Sequence, residues 1–220
     1  MTDVSRETPS TPEAARRAFS SERLPLAERY VELLATVGVE RGLIGPREGP
    51  RLWDRHVLNC LAIESLVARD ATIADLGSGA GLPGVVLAIG RPDLAVTLVE
   101  PLQRRTIFLD EVVEELGLST VTVVRGRAEE LHGETAFDVV TARALAPLDR
   151  LIGWGMPLVG PAGVLVAMKG SSAEQEIRDA AKALKKHHCS TPEVVLVTGP
   201  DGTSTATVVK VAHAERTRLR

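Results

Sequence analysis

No apolar run in this 220-residue sequence is long enough to cross a bilayer, and charges interrupt the chain throughout. Met1 to Ser21 is polar, rich in Ser, Thr, Pro and Glu, and lacks the apolar stretch of a secretory signal. It reads as a disordered tail. Cysteine is scarce: Cys60 and Cys189 are the only two, enough for a single disulfide but requiring none, and a reduced, cytoplasmic chain is the simpler reading. His187-His188-Cys189 has no second ligand cluster at zinc spacing, so it reads as a helix end and no metal is expected. Aromatics are only 3% of the chain: Phe19, Tyr30, Trp53, Phe108, Phe137 and Trp154. That argues against a general single-strand binder built on stacked bases. Excess positive charge is missing too. A net charge of −3 excludes a broadly basic nucleic-acid binder, so any contacts with RNA must be local. There is no G-x-x-x-x-G-K-[ST] phosphate loop, and Leu76 to Ala80 supplies no G-x-S-x-G nucleophile elbow.

What the sequence does contain is alternation. Leu26, Tyr30, Leu33, Leu34 and Val37 recur at helical spacing, with Gly38 as the expected stop. A Gly/Pro-rich loop, Gly42 to Pro50, leads to a second amphipathic helix from about Arg51 to Ala68. Residues 22–68 are therefore expected to form an N-terminal helical cap. From residue 69 to 214 strands and helices alternate. Strands are expected at Thr72–Leu76, Leu94–Val99, Thr120–Val124, Phe137–Thr141 and Gly163–Met168, with helices between them and a polar helix at Ala173–Lys186. Val194–Thr198 and Thr205–Val211 close the domain as a hairpin around Gly199-Pro200-Asp201-Gly202. The prediction is an α/β, Rossmann-like fold: a mainly parallel seven-stranded sheet with a C-terminal antiparallel hairpin. Arg216, Arg218 and Arg220 fall in a basic tail, 215–220.

The strongest local signal is Asp75-Leu76-Gly77-Ser78-Gly79-Ala80-Gly81-Leu82-Pro83-Gly84, directly after the first strand and opening a helix. Glycines there allow a sharp turn and close approach of a ligand, at the sheet edge where such folds bind cofactors. The spacing is G-x-G-x-G, not the G-x-G-x-x-G that cradles a dinucleotide pyrophosphate. Asp75 can support a cationic amino group, and Glu100, ending the second strand, can accept from ribose hydroxyls. An acid at Glu100 serves NAD equally well. Glycine spacing and the closing hairpin together favour S-adenosylmethionine, which has no phosphate.

The acceptor is approached by exclusion. After the fourth strand, Thr141-Ala142-Arg143-Ala144-Leu145-Ala146-Pro147 lacks the [DNS]-P-P-[FYW] loop that holds an exocyclic amine. Neither cysteine follows that strand, where a pyrimidine-C5 enzyme would carry its nucleophile. A ring nitrogen with a free lone pair, such as guanine N7, needs no general base, only alignment, which contributes on the order of 7–11 kcal/mol. Arg143 is the foremost functional candidate, placed to donate to a phosphate, to O6 or to the cofactor carboxylate. Lys169 reads as a phosphate ligand or a solvated lysine, and His56 as an RNA contact or a packed ring. Arg104 and Arg105 begin a helix just past Glu100 and read either as an RNA contact from one of them or as solvated side chains.

Several segments, in order and spacing, resemble the RsmG/GidB family of small-subunit ribosomal RNA guanine-N7 methyltransferases. They are Trp53-Asp54-Arg55-His56-Val57-Leu58, Asp75 to Gly84, and Arg104-Arg105-Thr106-Ile107-Phe108-Leu109. To these are added Arg127-Ala128-Glu129-Glu130, Phe137 to Ala146, and Met168-Lys169-Gly170. The resemblance implies S-adenosylmethionine as cofactor and a guanine of the 16S rRNA decoding-region loop, in the small ribosomal subunit, as substrate. It implies a cofactor pocket that includes Gly77, Ser78, Gly79, Gly81, Leu82, Ala128 and Glu129 besides Asp75 and Glu100. Arg143 would stand at the junction of cofactor and RNA. Arg127 and Lys169 would act with it, and Arg55, His56 and Arg105 would face RNA. One departure is Gly42-Leu43-Ile44, where the family often has Asn-Leu-Thr. The alternatives left open are a methyltransferase for a small molecule or protein, an NAD-dependent oxidoreductase, and an assembly factor without chemistry.

Overall fold

The computed structural model describes residues 9–214. Its centre is one seven-stranded sheet in the order β3-β2-β1-β4-β5-β7-β6. The strands are β1 (Thr72–Leu76), β2 (Ala95–Val99), β3 (Val121–Val124), β4 (Phe137–Arg143), β5 (Val159–Lys169), β6 (Glu193–Thr198) and β7 (Thr205–Ala212). The first five run parallel, and β7 is antiparallel to both of its neighbours, β5 and β6. The expected closing hairpin is therefore present, with its second strand inserted next to β5.

Successive residues of the inner strands bury on opposite faces, as the two-residue repeat requires. Ile73, Val139, Val166 and Val208 join one apolar cluster, and Ala74, Val140, Leu165 and Val209 join the other. Helices α4 (Gly84–Gly90) and α5 (Gln103–Glu115) cover the first face; α6 (Leu148–Gly155), α7 (Ala173–Asp179) and α8 (Ala181–Lys186) cover the second. The polar helix expected over 173–186 is thus two helices, divided at the buried Ala180. β5 starts earlier than expected. Val159 pairs with Phe137 before a register shift, and Gly163 lies against the Phe137 carbonyl where a Cβ would collide, with Gly160 tightly packed beside it.

The N-terminal segments join the first cluster directly. α1 (Glu13–Ala18) buries Ala15 and delivers the buried Phe19, so the expected disorder does not extend over this part of residues 1–21. Residues 1–8 and the basic tail 215–220 lie outside the described residues. α2 (Leu24–Leu33) continues as a wider π-type turn through Leu34–Gly38, and Gly38 is buried inside the run. The chain reverses at Gly42, at φ +67°, not at Gly38. A second helical run passes from Gly49–Arg51 through a π-type segment, Leu52–Leu58, and α3 (Asn59–Leu61) to Ala62–Leu66. Tyr30, Leu52, Leu58 and Leu61 are fully buried with α4 in one core.

Candidate cofactor and RNA site

β1 ends in the glycine bend, and neighbours fix its shape from three sides. Gly77 and Ser78 donate backbone N–H groups to the Val99 carbonyl at 2.8 and 3.2 Å. The buried Tyr30 hydroxyl donates to the Ala80 carbonyl at 2.7 Å. Glu100, 1% exposed, accepts from Gly79 N at 3.0 Å and from Leu102 N at 3.0 Å. Two glycines are demanded by contact as well as by φ. A Cβ on Gly77, at φ +65°, would come within 2.4 Å of Leu145, and one on Gly81, at φ +99°, would meet Val85 at 2.5 Å and the Tyr30 hydroxyl at 3.0 Å.

Beneath the bend lies Asp75, fully buried. One carboxyl oxygen, Oδ2, accepts from Gly84 N at 3.0 Å; the other, Oδ1, has no hydrogen-bond partner among the described residues. Burial pushes this carboxyl up to about 7. A buried acceptor without a donor costs free energy unless a ligand supplies one, so the residues present fit a cationic group approaching the glycine bend.

Beyond Gly77 a small cavity of about 100 Å³ is walled by Val99, Pro101, Gly126, Ala128, Glu129 and Trp154, with Arg127 at its exposed rim. Ala128 and Glu129 therefore line this cavity beside the glycine bend. Arg127 borders the small cavity, and its backbone N–H donates to Glu130 at 2.9 Å. Three further candidates have defined surroundings. Ser78 is buried, its hydroxyl donating to the Asp75 carbonyl at 2.8 Å, so it braces the bend. Leu82 packs against the apolar core. Arg105 pairs with Glu100 at 3.3 Å instead of standing free for RNA, and covers the acid expected to meet a ribose.

A wider open cleft, about 980 Å³, lies on the far side of Leu145, which borders both cavities. It is lined by Arg55, Asn59, Arg143, Ala144, Pro147, Lys169 and Glu176, among others. Arg55 is 57% exposed there, 3.9 Å from Glu48. Arg143, the last residue of β4, donates to His56 Nδ1 at 2.8 Å and to Cys60 Sγ at 3.0 Å. Its partners are an imidazole and a thiol, not the carboxylate of a structural ion pair. His56 is 9% exposed, and its Nε2 meets Glu48 Oε2 at 2.7 Å. It is a packed ring and not an RNA-facing one; burial, more than any charge, lowers its pKa. Burial likewise pushes the Cys60 thiol up to about 11, which disfavours the reactive thiolate at neutral pH. Lys169 is a further correction. Its Nζ donates to the Ala146 carbonyl at 2.7 Å and pairs with Glu176 at 2.7 Å, so it holds the loop 144–147 and is not a free phosphate ligand. Glu48, Glu176 and the bracing role of Tyr30 escaped the sequence reading. Only Tyr30 had a periodic signal, and that signal spoke of core packing.

The family described as GidB, rRNA small subunit methyltransferase G, matches residues 23–203. The chain belongs to the GidB family. A protein of a Nocardioides species named Ribosomal RNA small subunit methyltransferase G is 63% identical over 217 residues, covering 99% of this chain and 87% of the relative. One of the same name from Thermobifida fusca is 56% identical over 200 residues, covering 91% and 84%. Solved structures share the fold. The precorrin-6y C5,15-methyltransferase of Geobacter metallireducens superposes with a TM-score of 0.53 at 16% identity, over 71% of this chain and 86% of that one. The ribosomal protein L11 methylase of Lactobacillus delbrueckii gives 0.52 at 14%, over 71% and 77%. In this GidB chain the glycine bend, Arg143 and Lys169 meet along the carboxyl edge of the parallel strands, where open α/β sheets bind ligands. No helix among the described residues is long and apolar enough to cross a membrane.

Proposed function

We propose that this GidB-family chain transfers a methyl group from S-adenosylmethionine to the N7 of a guanine in 16S ribosomal RNA, acting on the small ribosomal subunit in the cytoplasm. The observation that carries the reading is the orphaned Oδ1 of Asp75, buried beneath a G-x-G-x-G bend that opens toward an arginine-bearing cleft. Adenosylmethionine supplies a sulfonium-bound methyl, electrophilic enough to be taken by a ring-nitrogen lone pair. Asp75 would meet the cationic end of that molecule, Gly77 and Gly79 would let it lie against the backbone, and Ala128 and Glu129 would hold the adenine. Glu100 reaches a ribose once Arg105 moves off it. Arg143 orients the incoming nucleotide through phosphate or O6. It stays away from N7, because the methylated ring becomes cationic and a guanidinium beside it would oppose the transfer. No base is required; the Glu176 carboxylate is engaged by Lys169, and the Cys60 thiol lies behind Arg143.

The test is incorporation of labelled methyl into small subunits that lack the modification, followed by mass mapping of 16S rRNA. Label on one guanine N7, lost in R143A with folding retained, is the expected result. Label in protein or metabolites, or a melting temperature raised by NADH and not by adenosylmethionine, would sink the proposal.

A further inference from the structure

We propose that Glu48 is a positioning residue for Arg143, acting through the ring of His56. The proposal rests on the reading that Arg143 serves methyl transfer. A guanidinium has N–H donors and no acceptor. His56 Nδ1, 2.8 Å from Arg143 Nη2, must therefore present its lone pair, and the ring proton must sit on Nε2. That nitrogen donates to Glu48 Oε2 at 2.7 Å. Glu48 thus selects the one tautomer that can receive Arg143. Without it the ring is free to carry its proton on Nδ1, where donor faces donor. The ring is 11% exposed, so water is a poor substitute for the carboxylate.

The imidazole also acts as a spacer. Glu48 fixes the direction of the guanidinium from the far side of the ring, and so does not neutralise it by contact. Lys169 shows the contrast, with Glu176 directly on its ammonium at 2.7 Å. Arg143 spends its hydrogen bonds on His56 and Cys60, both neutral, and keeps its charge for an anion in the cleft. The charged groups facing His56 are Glu48, Arg143 and Arg55. The two cations favour the neutral ring that the relay needs; the carboxylate alone opposes it. Glu48 belongs to the Gly/Pro-rich loop and stands eight residues before His56, outside the Trp53–Leu58 segment whose resemblance singled out the Arg55-His56 pair.

The experiment measures single-turnover methyl transfer to unmodified small subunits by wild-type, E48A, E48Q and H56N proteins, with the nitrogen NMR spectrum of histidine-labelled protein beside it. E48A should slow transfer about tenfold, a misalignment effect, while the Kd for adenosylhomocysteine stays within about twofold. E48Q should recover to within about threefold, because a carboxamide oxygen still accepts from Nε2–H. In the spectrum His56 should carry its proton on Nε2 in wild type and E48Q, and show mixed tautomers in E48A. H56N offers Arg143 an amide oxygen near the Nδ1 position, so adding E48A to H56N should cost nothing more. Equal losses in E48A and E48Q, transfer by E48A at the wild-type rate, or additive losses with H56N would each overturn the relay. Wild-type protein that leaves subunits unlabelled would overturn the methyltransferase reading instead, and the tautomer in the spectrum would then decide the relay alone.

Discussion

Asp75 carries the sharpest expectation at the level of single side chains. Burial holds its carboxyl at about 7, against an ordinary value of 3.8. Between these values the native state binds the proton more tightly than the unfolded chain. The stability it contributes is full below about pH 4 and is lost as pH rises through 7. A cationic ligand group set against Oδ1 reverses the preference and draws the carboxyl to its charged form. Binding of adenosylhomocysteine near pH 7 should therefore release up to about half a proton, declining toward none by about pH 9. Calorimetry in buffers of different ionisation enthalpy counts that proton, and D75N should abolish the release. A proton count unchanged in D75N would separate Asp75 from the ligand. Asp75 and Arg143 were legible in the sequence because each sits at a strand end, where chain order predicts the sheet's ligand edge. The partners of Arg143 were not. His56 stands 87 residues away, and no local pattern reports a contact at that range.

Among elements, the decisive joint is that between β5, α6 and α7. Glu176 on α7 accepts from the Leu148 N–H that opens α6 at 3.0 Å and from Ser172 at 2.9 Å, and pairs with Lys169 at the end of β5. Lys169 in turn ties down the Ala146 carbonyl. The loop between them holds Ala144 at φ +52°, a conformation that a Cβ-bearing residue enters at a cost. The latch offsets that cost and keeps Leu145 between the two cavities. Removing either partner of a largely buried pair leaves a charge without compensation, so K169A and E176A should each lose about 3 kcal/mol. The double variant should lose clearly less than the sum, and urea melts of the four proteins give the coupling directly. Additive losses would mean that the two side chains act independently. The alternation of strands and helices was plain in the sequence, since periods of two and near four differ sharply. The boundaries that moved have local causes. Gly38 sits inside a widened helical turn, the start of β5 hides in a Gly-Pro-Ala-Gly stretch, and Phe19 belongs to the core although it is set in a largely polar N-terminal segment. Composition around a residue does not report what it packs against.

At the scale of the whole molecule, charge decides what kind of RNA this chain can select. The net charge is −3, so long-range attraction to a polyanion is absent. Several cations near the site are already engaged: Arg105 by Glu100, Lys169 by Glu176, and His56 is neutral and buried. That leaves Arg127 and Arg143 as the basic side chains at the two cavities without a carboxylate partner among the described residues, and Arg55, 57% exposed, only loosely paired at 3.9 Å from Glu48. Three phosphate contacts give a log–log salt slope of about −2, far shallower than that of a protein making six to ten. Such weak electrostatic capture cannot discriminate one loop among many on free RNA. Selection must then come from a surface that is already folded, where shape and the placement of one exposed guanine are fixed before contact. Assembled small subunits should accordingly be methylated well at 100 to 200 mM salt on an order-of-magnitude basis, while a short naked loop of the same sequence is methylated at least about a hundredfold more slowly. Comparable rates on the two substrates, or a slope of about −6 or steeper, would place recognition in the phosphate backbone and remove the need for a folded particle.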